Sequence, residues 1–169
     1  VPMHDPRYKR ALGVGYAVSP TGADHNHNLH DTAFAKEGRA LRELRFYGED
    51  FQPLPIEDLS EAKIRMLWTK TRERGFVNCL VMCDFVPWTP EEWREALYAA
   101  TGWRLSPEEM LEVGERTLQL TRLFNLREGI SPEEDRLPER FFQPFRKGNP
   151  EARLDPEAFR EGVRAYRRL

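Results

Sequence analysis

The chain of 169 residues has only two cysteines, Cys79 and Cys83, which excludes a small domain held by a disulfide framework. Their four-residue spacing suits neither a stable bridge nor a C-x-x-C redox pair. No apolar run approaches the ~20 residues that a bilayer crossing needs, and the N-terminus has no charged leader followed by an apolar stretch. A soluble, cytoplasmic protein is expected. A dominant charge sign is also missing. The formal net charge of −2 provides no basic field to draw the chain to nucleic acid. Arg160, Arg164, Arg167 and Arg168 are interleaved with Glu157 and Glu161 at helical spacing and read as a solvated helix face. Strand-like alternation is scarce, which leaves helix as the expected element.

Helix punctuation is what the sequence does have. Thr89-Pro90-Glu91-Glu92 sets an N-cap hydroxyl, a proline at the first helical position and a carboxylate at the third. The device recurs at Ser106-Pro107-Glu108-Glu109, at Ser131-Pro132-Glu133-Glu134 and, weaker, at Asp155-Pro156-Glu157, so four helix starts are expected. The first helix should end near Ala100, before Thr101-Gly102, and the second should run to about Asn125. In the second, Met110, Val113, Gly114, Thr117, Leu120, Thr121 and Phe124 predict a buried stripe. Ser60 to Arg74 is a further amphipathic candidate, with Gly75 as its stop. Phe76 to Phe85 reads as helix or loop, Ser19 to Thr32 and Glu49 to Pro55 as loops, and Phe141 to Pro150 as a surface connection. Val1 and the Pro2 to Arg7 stretch read like the middle of an ordered segment, so a piece of a longer chain is expected.

Chemistry-bearing residues concentrate in two places. All four histidines lie at His4, His25, His27 and His30, the last three in one polar loop with Asp24 and Asp31. Three imidazoles and a carboxylate are a possible zinc set, and one imidazole oriented by Asp24 or Asp31 suits acid–base work near neutral pH. A solvated loop of turn-forming Asn and Asp is the plain alternative. Cys79 and Cys83 are either structural thiols or part of a metal ligand set completed elsewhere. Leu12-Gly13-Val14-Gly15-Tyr16 lacks the preceding strand and third glycine of a dinucleotide fingerprint. Its glycines are expected to permit close backbone approach.

In order, Pro2-Met3-His4-Asp5-Pro6-Arg7, Leu12 to His25, Asn78 to Phe85, Leu118 to Gly129 and Asp135 to Phe141 resemble the aldehyde:ferredoxin oxidoreductase family over most of the chain. The resemblance implies an all-α fold of the C-terminal helical type with an irregular N-terminal loop region, one domain over residues 1–169. It further implies a role inside a tungsten- or molybdenum-pterin enzyme that oxidises aldehydes to acids and passes electrons through a 4Fe-4S cluster to ferredoxin. In that frame Cys83 is the cluster ligand, with three cysteines from an earlier domain. Asn78, Met82, Cys83 and Asp84 adjoin the tungstopterin, and His25 is the catalytic histidine near the metal. The N-terminal pterin-binding and middle cluster-binding domains would be partners, and this piece alone is expected to bind neither cofactor. Asn78 stands where the family has aspartate and Val81 where it has glycine. A cofactor-free helical interaction module descended from the family is the alternative.

Overall fold

The computed structural model describes residues 4–83, 85–144 and 152–169. Among the described residues six α-helices form: α1 Arg10–Val18, α2 Arg39–Arg45, α3 Glu61–Cys79, α4 Pro90–Thr101, α5 Pro107–Arg127 and α6 Pro156–Arg168. Three short 3-10 turns lie at Asp31–Ala33, Pro132–Glu134 and Glu139–Phe142. No strand occurs among the described residues, and the all-α expectation holds.

The cap chemistry acts as the sequence predicts at three of its four sites. Thr89 and Ser106 accept from the amides of Glu92 and Glu109 in complete capping boxes. Asp155 accepts from the amides of Glu157 and Ala158 at the start of α6. Gly102, at φ 78°, ends α4 in the left-handed conformation that glycine adopts without strain. At Ser131 the same sequence device yields only the Pro132–Glu134 turn. Asp135, just beyond, is held by Arg122 at 2.7 Å and by Arg167 at 2.6 Å, and Pro138 then removes a helical donor.

Gly75 does not stop α3, which continues to Cys79. It is a packing glycine: a Cβ there would lie 2.7 Å from the Gly114 carbonyl oxygen, and one on Gly114 only 1.9 Å from the Arg72 carbonyl oxygen. The backbones of α3 and α5 therefore meet directly, with Arg72 paired to Glu115 at 3.1 Å beside the crossing. α6 closes the core through Gly162 against Val14 and Ile64. The Tyr166 hydroxyl meets the Thr71 hydroxyl at 2.9 Å, and the Tyr166 ring meets Trp68 edge-on.

The predicted stripe on α5 is buried only in its first half. Met110 and Gly114 are buried, whereas Leu120 and Phe124 are 62% and 61% exposed. Beyond Thr117 the half-buried face of α5 is instead Leu118, Thr121, Arg122 and Asn125, with Asn125 donating to the Pro20 carbonyl at 2.7 Å, so Leu120 and Phe124 fall on the outer side. Leu123 and Ile130 extend the exposed apolar surface.

Helices α1 and α2 carry no local cap signal, and the sequence reading missed both. The N-terminus of α1 is satisfied from a distance by Asp31, whose carboxylate accepts from the amides of Ala11 at 3.3 Å and Leu12 at 3.0 Å. Asp31 is fully buried and faces the equally buried Lys63, whose ammonium lies 3.5 Å away and also donates to the Leu54 carbonyl at 3.3 Å. Burial pushes the Asp31 carboxyl up and the Lys63 ammonium down from their ordinary values, each opposed by the other's charge.

Candidate functional site

The loop from Ser19 to His30 leaves the end of α1 and returns against its first turns. Asn28 makes the return possible: its side chain donates to the Leu12 carbonyl at 3.4 Å and accepts from the Leu29 amide at 2.8 Å. It lies so close to α1 that a Cβ on Gly15 would sit 2.0 Å from its Oδ1. The close-approach role expected of Gly15 is thus met by a neighbouring side chain. Asp24 turns the loop by accepting from the Asn26 amide at 2.8 Å.

This path splits the histidines into two groups. His27 faces the end of α3: Asn78 Nδ2 donates to His27 Nε2 at 3.1 Å, leaving the Nδ1–H to donate to Asp24 Oδ2 at 3.0 Å. His25 and His30 face the other way and meet His4, with ring centroids 5.3 Å (His4 to His25), 4.9 Å (His4 to His30) and 6.0 Å (His25 to His30) apart, all edge-on. His30 Nε2–H donates to the His25 carbonyl at 2.9 Å, and its Nδ1 accepts from Lys9 Nζ at 3.3 Å. Lys9 Nζ also lies 3.5 Å from His4 Nδ1. Burial and the Lys9 charge push the His30 imidazole down to about 4, and the same causes lower His4.

A zinc site on His25, His27 and His30 does not survive this geometry. His27 is engaged with Asp24 and Asn78, and Asp31 is committed to α1 and Lys63. Among the described residues no group of three or more His, Cys, Asp or Glu side chains could hold a metal ion. Nor can Asp31 orient an imidazole. His4, separate in sequence from the loop, joins the cluster only through the fold; its proximity was not evident from spacing.

The two cysteines also part company. Cys79, in the last turn of α3, lies 3.0 Å from the Thr117 hydroxyl, which itself donates to the Val113 carbonyl at 3.0 Å. The thiol therefore donates to Thr117 and helps dock α3 on α5. Cys83 lies beyond the helix in the following loop; both thiols are exposed and unbridged, but that of Cys83 has no hydrogen-bond partner among the described residues. Between them Val81 adopts φ 56° and is 92% exposed. Its amide bonds to the Asn78 carbonyl at 3.0 Å, as does the glycine that commonly terminates a helix. The side chain of Met82 is half-buried against the core. Phe85 is 84% exposed. Asp84 lies outside the described residues.

The Asn78–His27 bond thus joins the histidine loop to the C-terminal end of α3. A small cleft of about 90 Å³ lies at this junction, lined by residues including Gly15, Thr21, His27, Asn78 and Thr117. A larger cleft of about 610 Å³ between the Pro132 turn and α6 includes none of the candidate residues.

Residues 1–169 match the family described as aldehyde ferredoxin oxidoreductase, domains 2 & 3. The chain is 31% identical over 146 residues to the tungsten-containing aldehyde ferredoxin oxidoreductase of Thermococcus kodakarensis, covering 85% of this chain and 22% of that protein. Identity to the enzyme of the same name from Pyrococcus furiosus is also 31%, with the same coverage, and to that from Pyrococcus abyssi 30%. The chain belongs to the aldehyde ferredoxin oxidoreductase family. It spans about a fifth of the length of these curated relatives.

Proposed function

We propose that this chain is the helical part of a tungsten-pterin oxidoreductase that oxidises aldehydes to carboxylic acids and delivers the electrons to ferredoxin, with Cys83 as one of four thiolate ligands of a 4Fe-4S cluster. The observation that carries the reading is the difference between two exposed, unbridged cysteines within the family match: the Cys79 thiol has Thr117 as its partner, whereas the Cys83 thiol, just past the end of α3, has no hydrogen-bond partner among the described residues. One thiolate cannot enclose such a cluster, so its other ligands belong to the rest of the enzyme. The exposed apolar face of α5 around Leu120, Leu123 and Phe124 offers those partner domains a surface to cover.

The residues present fit both groups in part. Cys83 is exposed, and the exposed turn at Val81 beside it can approach a flat pterin edge. Asn78 supplies an amide where the family carries a carboxylate. It has one donor committed to His27, and its carbonyl oxygen remains an acceptor. When bound, the tungsten centre supplies the two-electron chemistry that turns an aldehyde into an acid.

This chain's own contribution is to position His25. The His30 N–H fixes the His25 backbone carbonyl, and the rings of His4 and His30 flank the His25 imidazole edge-on. An imidazole so held can bind the aldehyde oxygen or accept the proton released during oxidation. The buried Asp31–Lys63 pair and Asn28 hold α1 and the loop in register behind it.

The test is aldehyde-dependent reduction of ferredoxin or a viologen dye by the whole enzyme. His25→Gln is expected to lower kcat by about 10²-fold or more while tungsten and iron contents stay at wild-type levels. An unchanged kcat would remove His25 from the chemistry. A wild-type protein lacking both metals would leave a helical interaction module as the better reading.

A further inference from the structure

The loop that follows α3 is pinned from within yet carries its largest apolar side chains outward. Leu80 and Met82 are half-buried against the core. The Val81 amide donates to the Asn78 carbonyl at 3.0 Å and the Val86 amide to the Cys83 carbonyl at 3.1 Å, and Arg39 Nη2 donates to the Pro87 carbonyl at 2.8 Å. On this fixed frame Val81 is 92% and Phe85 84% exposed, and Cys83, also exposed, stands two positions from each.

One exposed apolar side chain is ordinary on a folded protein. Val81 is a different case, because its backbone, at φ 56°, lies in the left-handed region, where a β-branched residue is strained. Glycine meets that conformation at a helix end without strain. The valine side chain adds strain and, at this exposure, recovers no burial within the chain. Strain that local contacts do not repay points to contacts made elsewhere, and the Phe85 ring beside it is of a kind enriched where protein surfaces meet. The chain spans 22% of its relative from Thermococcus kodakarensis, so most of such an enzyme lies outside these residues. Under the function proposed above, the other thiolates reach Cys83 from that remainder, at the same exposed loop.

We propose that Val81 and Phe85 are apolar anchors for the domain that brings those thiolates, and that together they close over Cys83 and shut the cluster off from water. The sealing half of the proposal rests on Cys83 being a cluster ligand. The anchoring half rests on the backbone strain and exposure of the loop and on the length of enzyme beyond this chain. A dry, apolar surround restricts solvent access to a metal centre, so the two side chains control how readily a water-borne reagent reaches the iron.

The experiment uses the whole enzyme and two readouts. Hydroxyl-radical footprinting should find Phe85 protected relative to the urea-unfolded enzyme. The anaerobic rate at which an iron chelator bleaches the cluster's visible absorbance should rise about tenfold or more in Phe85→Ser and in Val81→Thr, the second of which keeps the branched shape and adds only a hydroxyl. Phe85→Leu and Val81→Ile should stay near wild type. A Phe85 as reactive in the folded enzyme as in the unfolded one would overturn the anchoring half, and so would protection that disappears when the enzyme is diluted to single copies, which would assign the loop to a second copy. Unchanged bleaching in both polar variants, or equal effects from the polar and the apolar replacements, would overturn the sealing half. If the wild type holds no iron, the cluster reading and the sealing half fail together, while protection of Phe85 still upholds the anchor.

Discussion

Gly114→Ala sets two physical effects of opposite sign against each other. Within α5, alanine is the better helix former by about 1 kcal/mol, so propensity alone predicts a more stable protein. At the α3 crossing the added Cβ would lie 1.9 Å from the Arg72 carbonyl oxygen and 2.9 Å from the Phe76 amide nitrogen. Ordinary contact requires about 3.4 Å or more, and both neighbours are backbone, unable to rotate away. The helices must separate by more than an ångström, opening gaps around Met110 and Phe76, both buried. Overpacking of this kind costs about 1–3 kcal/mol, and the loosened crossing adds lost burial, for a net loss of about 1–3 kcal/mol after the propensity gain. For a protein of this size that lowers Tm by roughly 3–10 °C, measured by thermal unfolding followed by circular dichroism. A Tm equal to or above wild type would show that α3 and α5 do not meet as described.

Val81→Gly should stabilise the protein by about 0.5–1 kcal/mol, since relief of the left-handed backbone conformation outweighs the entropy of a freer unfolded chain; chemical denaturation gives the answer, and a loss of stability would contradict the φ of 56°. For His30 the sign follows from a folded value near 4 against an ordinary 6.5. The unfolded state binds more protons between these limits, so this contribution is fully present above about pH 6.5 and is lost as pH falls toward 4. The full effect is about 3 kcal/mol, and solvent screening around the half-buried ring brings it to about 1–2 kcal/mol. Denaturation across this range should show a pH slope that His30→Gln flattens; an identical slope in both proteins would refute the assignment.

What the sequence made legible is what short-range chemistry determines. Thr89, Ser106 and Asp155 bond to amides two or three residues away, so their helix starts could be read directly. The start of α1 could not, because its capping carboxylate, Asp31, lies twenty residues downstream and arrives only through the loop that Asn28 docks. Gly75 looked like a terminator because glycine both ends helices and lets them touch, and only the presence of Gly114 opposite decides between the two. The α5 stripe was misjudged because periodicity identifies an apolar face without saying whether its cover belongs to the same chain. In the candidate site the histidine concentration and the loop after α3 were both visible. That His27 would turn to Asn78 while His4 joined His25 depends on tertiary contacts, as does the division of labour between Cys79 and Cys83.

The central claim is that division, and the most direct measurement is the electron paramagnetic resonance spectrum of the reduced whole enzyme in Cys83→Ala and Cys79→Ala. The account predicts that Cys83→Ala abolishes or reshapes the cluster signal and lowers iron content, while Cys79→Ala, which removes only a thiol bonded to Thr117, leaves the signal intact. Equal effects from the two variants, or loss of the signal in Cys79→Ala alone, would contradict it.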